Sequence, residues 1–153
     1  MQTLTIKAPI GHIIDKYDES TGVVTFKPVS LDIKERIQSI DDIFALNNTT
    51  QEAFETKWKG FDEHEIYNAL EVLIVAAYNE GKLPDFKDGT WKYYPRFIMG
   101  SPSGVGFSFN DYGNWSSNSV VGARLVFHSE NAKANMLDAV EKFLPQYRKS
   151  RTS

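Results

Sequence analysis

The chain of 153 residues contains no cysteine. That removes disulfide bridges, thiol nucleophiles and thiolate metal sites, and it fits a reducing compartment. Long apolar runs are missing too: the longest, VLIVAAY at 72–78, is far short of the ~20 residues that cross a bilayer. The opening MQTLTIKAPIGHII has no charged start followed by an apolar stretch. No signal peptide is therefore expected, and the protein is read as cytoplasmic, with no membrane partner. Histidine is reduced to His12, His64 and His128, far apart and outside any H-x-x-H spacing, so neither a metal site nor a cofactor is expected. No G-x-S-x-G elbow surrounds a serine. Gly100, Gly104 and Gly106 make G-x-x-x-G-x-G, which is neither a Walker loop nor a dinucleotide loop. No catalytic residue emerges, and the reading leans away from an enzyme.

Aromatic rings, by contrast, make up 13% of the chain, and residues 91–115 hold eight of them in 25 positions. Such a row is either a core or a gripping surface. The net charge of −3 argues against a whole surface built for polyanions. Its distribution is uneven, because residues 91–128 carry Lys92, Arg96 and Arg124 against Asp111 alone. Length and a 41% hydrophobic content fit one domain. That domain is assigned to 1–147, and RKSRTS at 148–153 is read as a flexible tail.

Periodicity orders the elements. LTIKAPIGHIIDKYDESTGVVTFKPV reads as two strands around the turn-forming DESTG, bounded by Pro9 and Pro28. Between 31 and 59, Ile33, Ile37, Ile40 and Phe44 recur at helical spacing. Ser39 with Asp42, and Thr49 with Glu52, supply helix-start signals there. FDEHEIYNALEVLIVAAYNEG predicts a helix capped by Asp62 and Glu65, stapled by Phe61 and Ile66, and ended by Gly81. Its buried stripe is predicted as Ile66, Leu70, Leu73 and Ala77, and the last two turns are apolar almost all round, so this helix should be central. DEHE at 62–65 is thereby explained as a cap rather than a metal or catalytic cluster. Strands are predicted over 91–99, 104–110 and 120–128, joined by SPSG and DYGNWSSNS. A last helix follows, capped by Ser129 and stopped by Pro145. The fold class is α+β: an N-terminal β-hairpin, several helices, a three-stranded antiparallel meander and a C-terminal helix.

Alternation along the three strands divides the rings. Phe97, Phe107, Phe109 and Phe127 fall on the face that the helices cover. The opposite face gathers Lys92, Tyr94, Arg96, Arg124 and His128 around small Gly106, Ser108 and Gly122. A cationic, glycine-floored sheet with a ring is the kind of surface that binds single strands in sheet-based modules. A solvated or protein-contacting face is the competing reading. Tyr112, Trp115 and Trp58, in loops or at helix ends, are candidate anchors for a protein partner, since exposed aromatics are favoured at interface hot spots.

IKAPIGHIIDKYDESTGVVTFKP (6–28), NEGKLPDFKDGTWKYYPRF (79–97) and GVGFSFNDYGNWSSNSVVGARLVFHS (104–129) resemble a family of small proteins encoded by bacteriophages and prophages of gut Bacteroidales. The resemblance implies a phage or mobile-element origin and, with it, the cytoplasm of a host cell. It brings no catalytic or binding residues. The leading function is therefore a phage-type accessory protein, a non-enzymatic module that binds a protein partner or itself. The alternative is a single-stranded nucleic-acid-binding protein using the polar sheet face, and the third reading is an enzyme with no recognisable motif.

Overall fold

A computed structural model describes residues 6–9, 11–28, 32–100 and 106–152. In chain order they form β1 (His12–Asp18), β2 (Val23–Pro28), α1 (Ile33–Arg36), α2 (Ile40–Leu46), α3 (Gln51–Lys57), α4 (Glu63–Tyr78), β3 (Lys92–Ile98), β4 (Ser108–Trp115) and α5 (Ala132–Thr152), with a 3-10 turn at Ala123–Leu125. The fold is mixed α+β, and among the described residues the strands make two antiparallel pairs, β1–β2 and β3–β4. Two compact units are present, Met1–Arg36 and Ile37–Ser153.

The first unit carries the predicted hairpin and the single turn of α1. The Asp18 carboxylate shapes the turn by accepting from the Ser20 amide at 2.9 Å and the Ser20 hydroxyl at 2.6 Å. The register runs from Asp18↔Val23 to His12↔Pro28, with a bulge between Ile14 and Lys16.

In the second unit, helices start where a side chain can take up free amides. Ser39 and Asp42 form the capping box of α2, with the Ser39 amide 2.8 Å from the Asp42 carboxylate. Thr50, one residue past the predicted Thr49, caps α3 by accepting from the Ala53 amide at 3.1 Å. Asp62 and Glu65 make the capping box of α4, where the Glu65 carboxylate accepts from the Asp62 amide at 3.2 Å. The Phe61 ring packs edge-on against Trp58, 5.0 Å between centroids. Glu80 and Gly81 turn left-handed after α4, with φ of 52° and 74°, and the Gly81 amide reaches back to the Ala76 carbonyl at 2.8 Å.

The helices α4 and α5 pack along each other at the centre of this unit. α2 and the 3-10 turn also lie against α4, and the β3–β4 ribbon lies against α5. The α4 stripe is rotated from the expectation: Leu70 and Ala77 are buried, but Ile74 takes the core place assigned to Leu73, and Ile66 and Leu73 are half-buried. An apolar pattern that runs almost all round a helix cannot set its phase. Polar contacts set it here, because Glu71 and Tyr78 also face inward. The Tyr78 hydroxyl donates to Asp138 at 2.6 Å, and Glu71 holds Arg151.

Two expectations for the C-terminal half are corrected. The helix does not stop at Pro145, and residues 148–152 are not a loose tail. Phe143 leaves helical geometry (φ −119°, ψ 24°), which absorbs the missing proline donor, and α5 then resumes to Thr152. Its last turns are docked: Ser150 donates to Glu71 at 2.9 Å, and Arg151 bonds both Glu71 oxygens at 2.5 and 2.8 Å. Ser153 lies outside the described residues.

The three-stranded meander is also absent from the described residues. β3 is in place, but its partner is Ser108–Trp115 rather than 104–110. Residues 120–128 contribute one bridge, Tyr93↔Phe127, instead of a strand. The link at 101–105 lies outside the described residues. DYGNW, read as turn chemistry, is strand because each residue finds a cross-strand use. Asp111 opposes Arg96, Tyr112 lies against Tyr93, and Gly113 leaves room for the Tyr94 ring, which a Cβ there would overlap. Extended structure breaks at Gly122, with φ of 80°. Beyond it the Asn79 side chain replaces a neighbouring strand, donating to the Val126 carbonyl at 2.8 Å and accepting from the His128 amide at 3.1 Å.

Candidate functional site

The structure takes the proposed polar sheet face apart. Lys92 is fully buried. Its ammonium sits 2.5 Å from the Asp88 carboxylate and bonds the Thr90 carbonyl at 3.0 Å. That contact, with the Thr90 amide adding to it, pulls the Asp88 carboxyl down to about 2. Tyr94 is only 7% exposed, and its hydroxyl accepts from the Trp115 indole N–H at 2.9 Å. Arg96 is exposed but clamped to Asp111, Nε to Oδ1 at 2.7 Å. The His128 ring bonds the Lys82 carbonyl at 2.9 Å. The Tyr112 ring carries Lys133, whose ammonium is 4.5 Å from the centroid. Two physical reasons defeat the alternation: the ribbon packs against α5 while the adjoining loops take up Lys92 through Asp88, Thr90 and Ser116, and the third strand that would have brought Arg124 alongside does not form. Of the four rings assigned to the core, Phe127 is fully buried, whereas Phe97, Phe107 and Phe109 are half-buried and cluster, with Phe97 stacked 4.8 Å from Phe107 and tilted 5.4 Å from Tyr147.

Among the described residues of the second unit, two large hollows stand out. One, of about 720 Å³, lies between Trp91 and Tyr93 on one side and the start of α5 on the other. Its charges are mixed: Asp88 holds Lys92, Lys133 lies on Tyr112, and Glu130 adds a further carboxylate.

The other is a groove of about 820 Å³ between α3 and α4. α3 reaches the core through Phe54, whose ring is 5.5 Å from Phe44 of α2, and a trough remains beside it. Ala53, Phe54 and Trp58 form one wall; Ala69, Val72 and Leu73 of α4 form the other. Asn47 closes one end, its side chain donating to the Leu73 carbonyl at 2.9 Å. A smaller hollow of about 50 Å³ shares Val72 and Arg124 with the groove and carries the surface past Ala76 to Leu83 and Pro84. Ala69, Val72, Leu73 and Ala76 are all half-buried, spaced i, i+3, i+4 and i+7. α4 therefore has a second apolar stripe that faces this groove rather than the core.

The rim is cationic. Lys57, Arg124 and, beside the smaller hollow, Lys82 make no ion pair among the described residues. Lys57 lies 5.7 Å from the Trp58 ring. Glu65 is the acid at the edge, and its carboxylate already caps α4. His64 bonds Asn68 at 2.9 Å. The groove thus offers apolar area and positive charge, and no poised acid–base pair. Of the residues singled out in the sequence, Trp58 and Arg124 meet here. Leu73 is assigned to the buried stripe by its spacing and Val72 is not singled out; the one signal for a groove-facing pair is that α4 has more apolar positions than a single stripe needs.

Among the described residues no group of three or more histidines and carboxylates is placed to hold a metal ion, and no helix is long and apolar enough to cross a membrane. Comparison with protein-family models, curated proteins and solved structures finds no match to the chain.

Proposed function

We propose that the chain is a non-enzymatic protein-interaction module, an accessory protein of phage type, that binds a segment of a partner protein in the α3–α4 groove. One observation carries this reading: the central helix turns a second, half-buried apolar stripe away from the core, with Ala69, Val72 and Leu73 lining the open groove and Ala76 the smaller hollow beside it. Contiguous apolar surface that stays accessible and is rimmed by polar groups marks interaction sites. Trp58 stands at its edge as an aromatic anchor of the kind that dominates interface energies. The groove's polar side chains are spent on structure, Glu65 on a cap, Asn47 on a carbonyl and His64 on Asn68, which favours binding over catalysis. The single-strand reading loses its surface with Lys92 and Tyr94 buried and Arg96 paired.

The test is panning of a displayed library of random 16-residue peptides on the full chain, in parallel with Val72→Glu. A charge in the middle of the groove should remove the enriched peptides while circular dichroism stays that of the parent. Ala69→Glu serves if Val72→Glu does not fold. Enriched peptides that bind parent and groove variant equally, or no enrichment at all, would overturn the reading.

A further inference from the structure

We infer that the occupant of the α3–α4 groove is an acidic amphipathic helix of a partner protein. This rests on the interaction-module reading and narrows it to one class of ligand. Three features of the groove select that class.

The first is its walls. They are built from helices, helix ends and the 3-10 turn, and no residue of any strand lines them. An extended peptide would press its amides and carbonyls onto Phe54, Val72 and Leu73 with no strand edge to pair with. Buried backbone groups must be satisfied. A helix satisfies its own and can bring bare side chains to an apolar wall, which is the helix-in-groove mode of recognition. A polyproline segment, which also needs no ladder, docks on rows of aromatic rings. Of the two rings that line this groove, Phe54 is buried and packed on Phe44, which leaves Trp58, with Phe61 edge-on to it, rather than a row of open rings.

The second is length. From Ala69 to Ala76 the apolar stripe advances seven residue steps, about 10 Å along α4 at 1.5 Å per step, and the surface continues toward Leu83. Two turns of an incoming helix cover that distance, with apolar anchors at i, i+4 and i+7.

The third is charge. The chain is acidic as a whole, at −3, yet the groove and its extension are bordered by Lys57, Lys82 and Arg124 without ion partners among the described residues, against the one capping carboxylate of Glu65. Lysines on the helix flanks of a partner would meet these cations at short range. Glutamates and aspartates would complement them, steering the encounter and excluding basic competitors.

Three fluorescein-labelled synthetic 16-residue peptides test this by anisotropy on the full chain. One has leucines at i, i+4 and i+7 with glutamates on the flanks; the second replaces every glutamate by lysine; the third keeps the acids but places two prolines at its centre. The acidic helix should bind at least tenfold more tightly than either of the others, and more tightly at low salt than at high. Lys57→Glu with Arg124→Glu, both exposed positions, should reverse the preference toward the lysine peptide, and Val72→Glu should abolish binding of all three. Equal binding of acidic and basic helices, or undiminished binding of the proline peptide, overturns the inference. So does tighter binding of dodecanoate, an anion with a single acyl chain, if it displaces the acidic helix. Doubling of the protein's mass by sedimentation, blocked by Val72→Glu, would assign the groove to a second copy and overturn it as well. Library peptides that depend on Val72 but are basic or proline-rich would leave the module reading standing and remove the acidic helix. Absence of any Val72-dependent binder removes both.

Discussion

Arg151→Ala tests the most consequential correction to the fold, the docking of the last helical turns. Glu71 is 3% exposed in the middle of α4. Its two carboxylate oxygens are held by Arg151 at 2.5 and 2.8 Å and by the Ser150 hydroxyl at 2.9 Å. The guanidinium also lies over the rings of Phe97 and Tyr147, at 4.9 and 5.6 Å. Truncation to alanine leaves a buried carboxylate with one neutral donor. Removing one partner of a buried pair costs about 3–5 kcal/mol. Arg151 is partly exposed and close to the end of α5, so water can reach the vacated site, and the cost should fall at the lower end, about 3 kcal/mol. With a urea slope of about 2 kcal/mol/M, the unfolding midpoint should drop by about 1.5 M. Glu71→Leu combined with Arg151→Leu removes charge and desolvation together, so the double variant should be more stable than Arg151→Ala. Urea unfolding at pH 7, followed by near-ultraviolet circular dichroism, measures all three proteins. An unchanged midpoint for Arg151→Ala would mean that residues 148–152 hang free, as their composition suggested, and the docking argument would fail.

The phase of α4 is checked by a pair of truncations: Ile74→Ala should cost about 2–5 kcal/mol as a buried deletion, and Leu73→Ala clearly less, with equal midpoint shifts contradicting the two-stripe assignment. Gly113→Ala should destabilise by about 1–3 kcal/mol through overlap with the Tyr94 ring. Most of that loss should disappear in the background of Tyr94→Ala, and additive losses would place the strain elsewhere. Asp88 has its pKa depressed to about 2 by Lys92. Its stabilisation is therefore present above the ordinary carboxylate value near 4 and is lost as pH falls through about 2. Asp88→Asn should lower stability at pH 7 and flatten the acid limb between pH 4 and 2, and an acid limb identical to the parent's would dismiss the pair.

The helices were legible where a local signal decides the matter. Asp62, Glu65 and Gly81 mark the ends of α4 by short-range hydrogen bonding that any tertiary setting would keep. The hairpin at 12–28 was legible for the same reason, since Asp18 and Gly22 build the turn within five residues. What failed was non-local. Gly113 looks like a turn residue until the Tyr94 ring is placed over it, and 120–128 looks like a strand until Asn79, far away in sequence, takes over its hydrogen bonds. Pro145 is a helix stop in every local scale. It is overridden because Glu71, about 80 residues earlier, pulls Ser150 and Arg151 into contact.

The same distinction governs the site. Lys92, Tyr94, Arg96, Arg124 and His128 were grouped by strand alternation, which is sound only if the third strand exists and one face stays open. With Lys92 drawn to Asp88 and Arg96 to Asp111, the positive charge of that segment is neutralised within the β3–β4 region, and Arg124 is carried on the 3-10 turn to the groove at α4. Apolar periodicity shows how much of a helix wants cover, not what supplies it. For α4 that demand exceeds what α2, α5 and the 3-10 turn meet, because Glu71 and Tyr78 fix the helix's rotation and turn Val72 and Leu73 outward. A helix rotated by its polar contacts, not by its apolar ones, is left with a stripe that is only half covered. The unpaired cations Lys57, Lys82 and Arg124 bordering that stripe would cost little in solution if left solvated, but they would reject a basic partner. Apolar demand and unbalanced charge thus converge on one surface of the second unit, and that convergence is the reason to look for the chain's partner there.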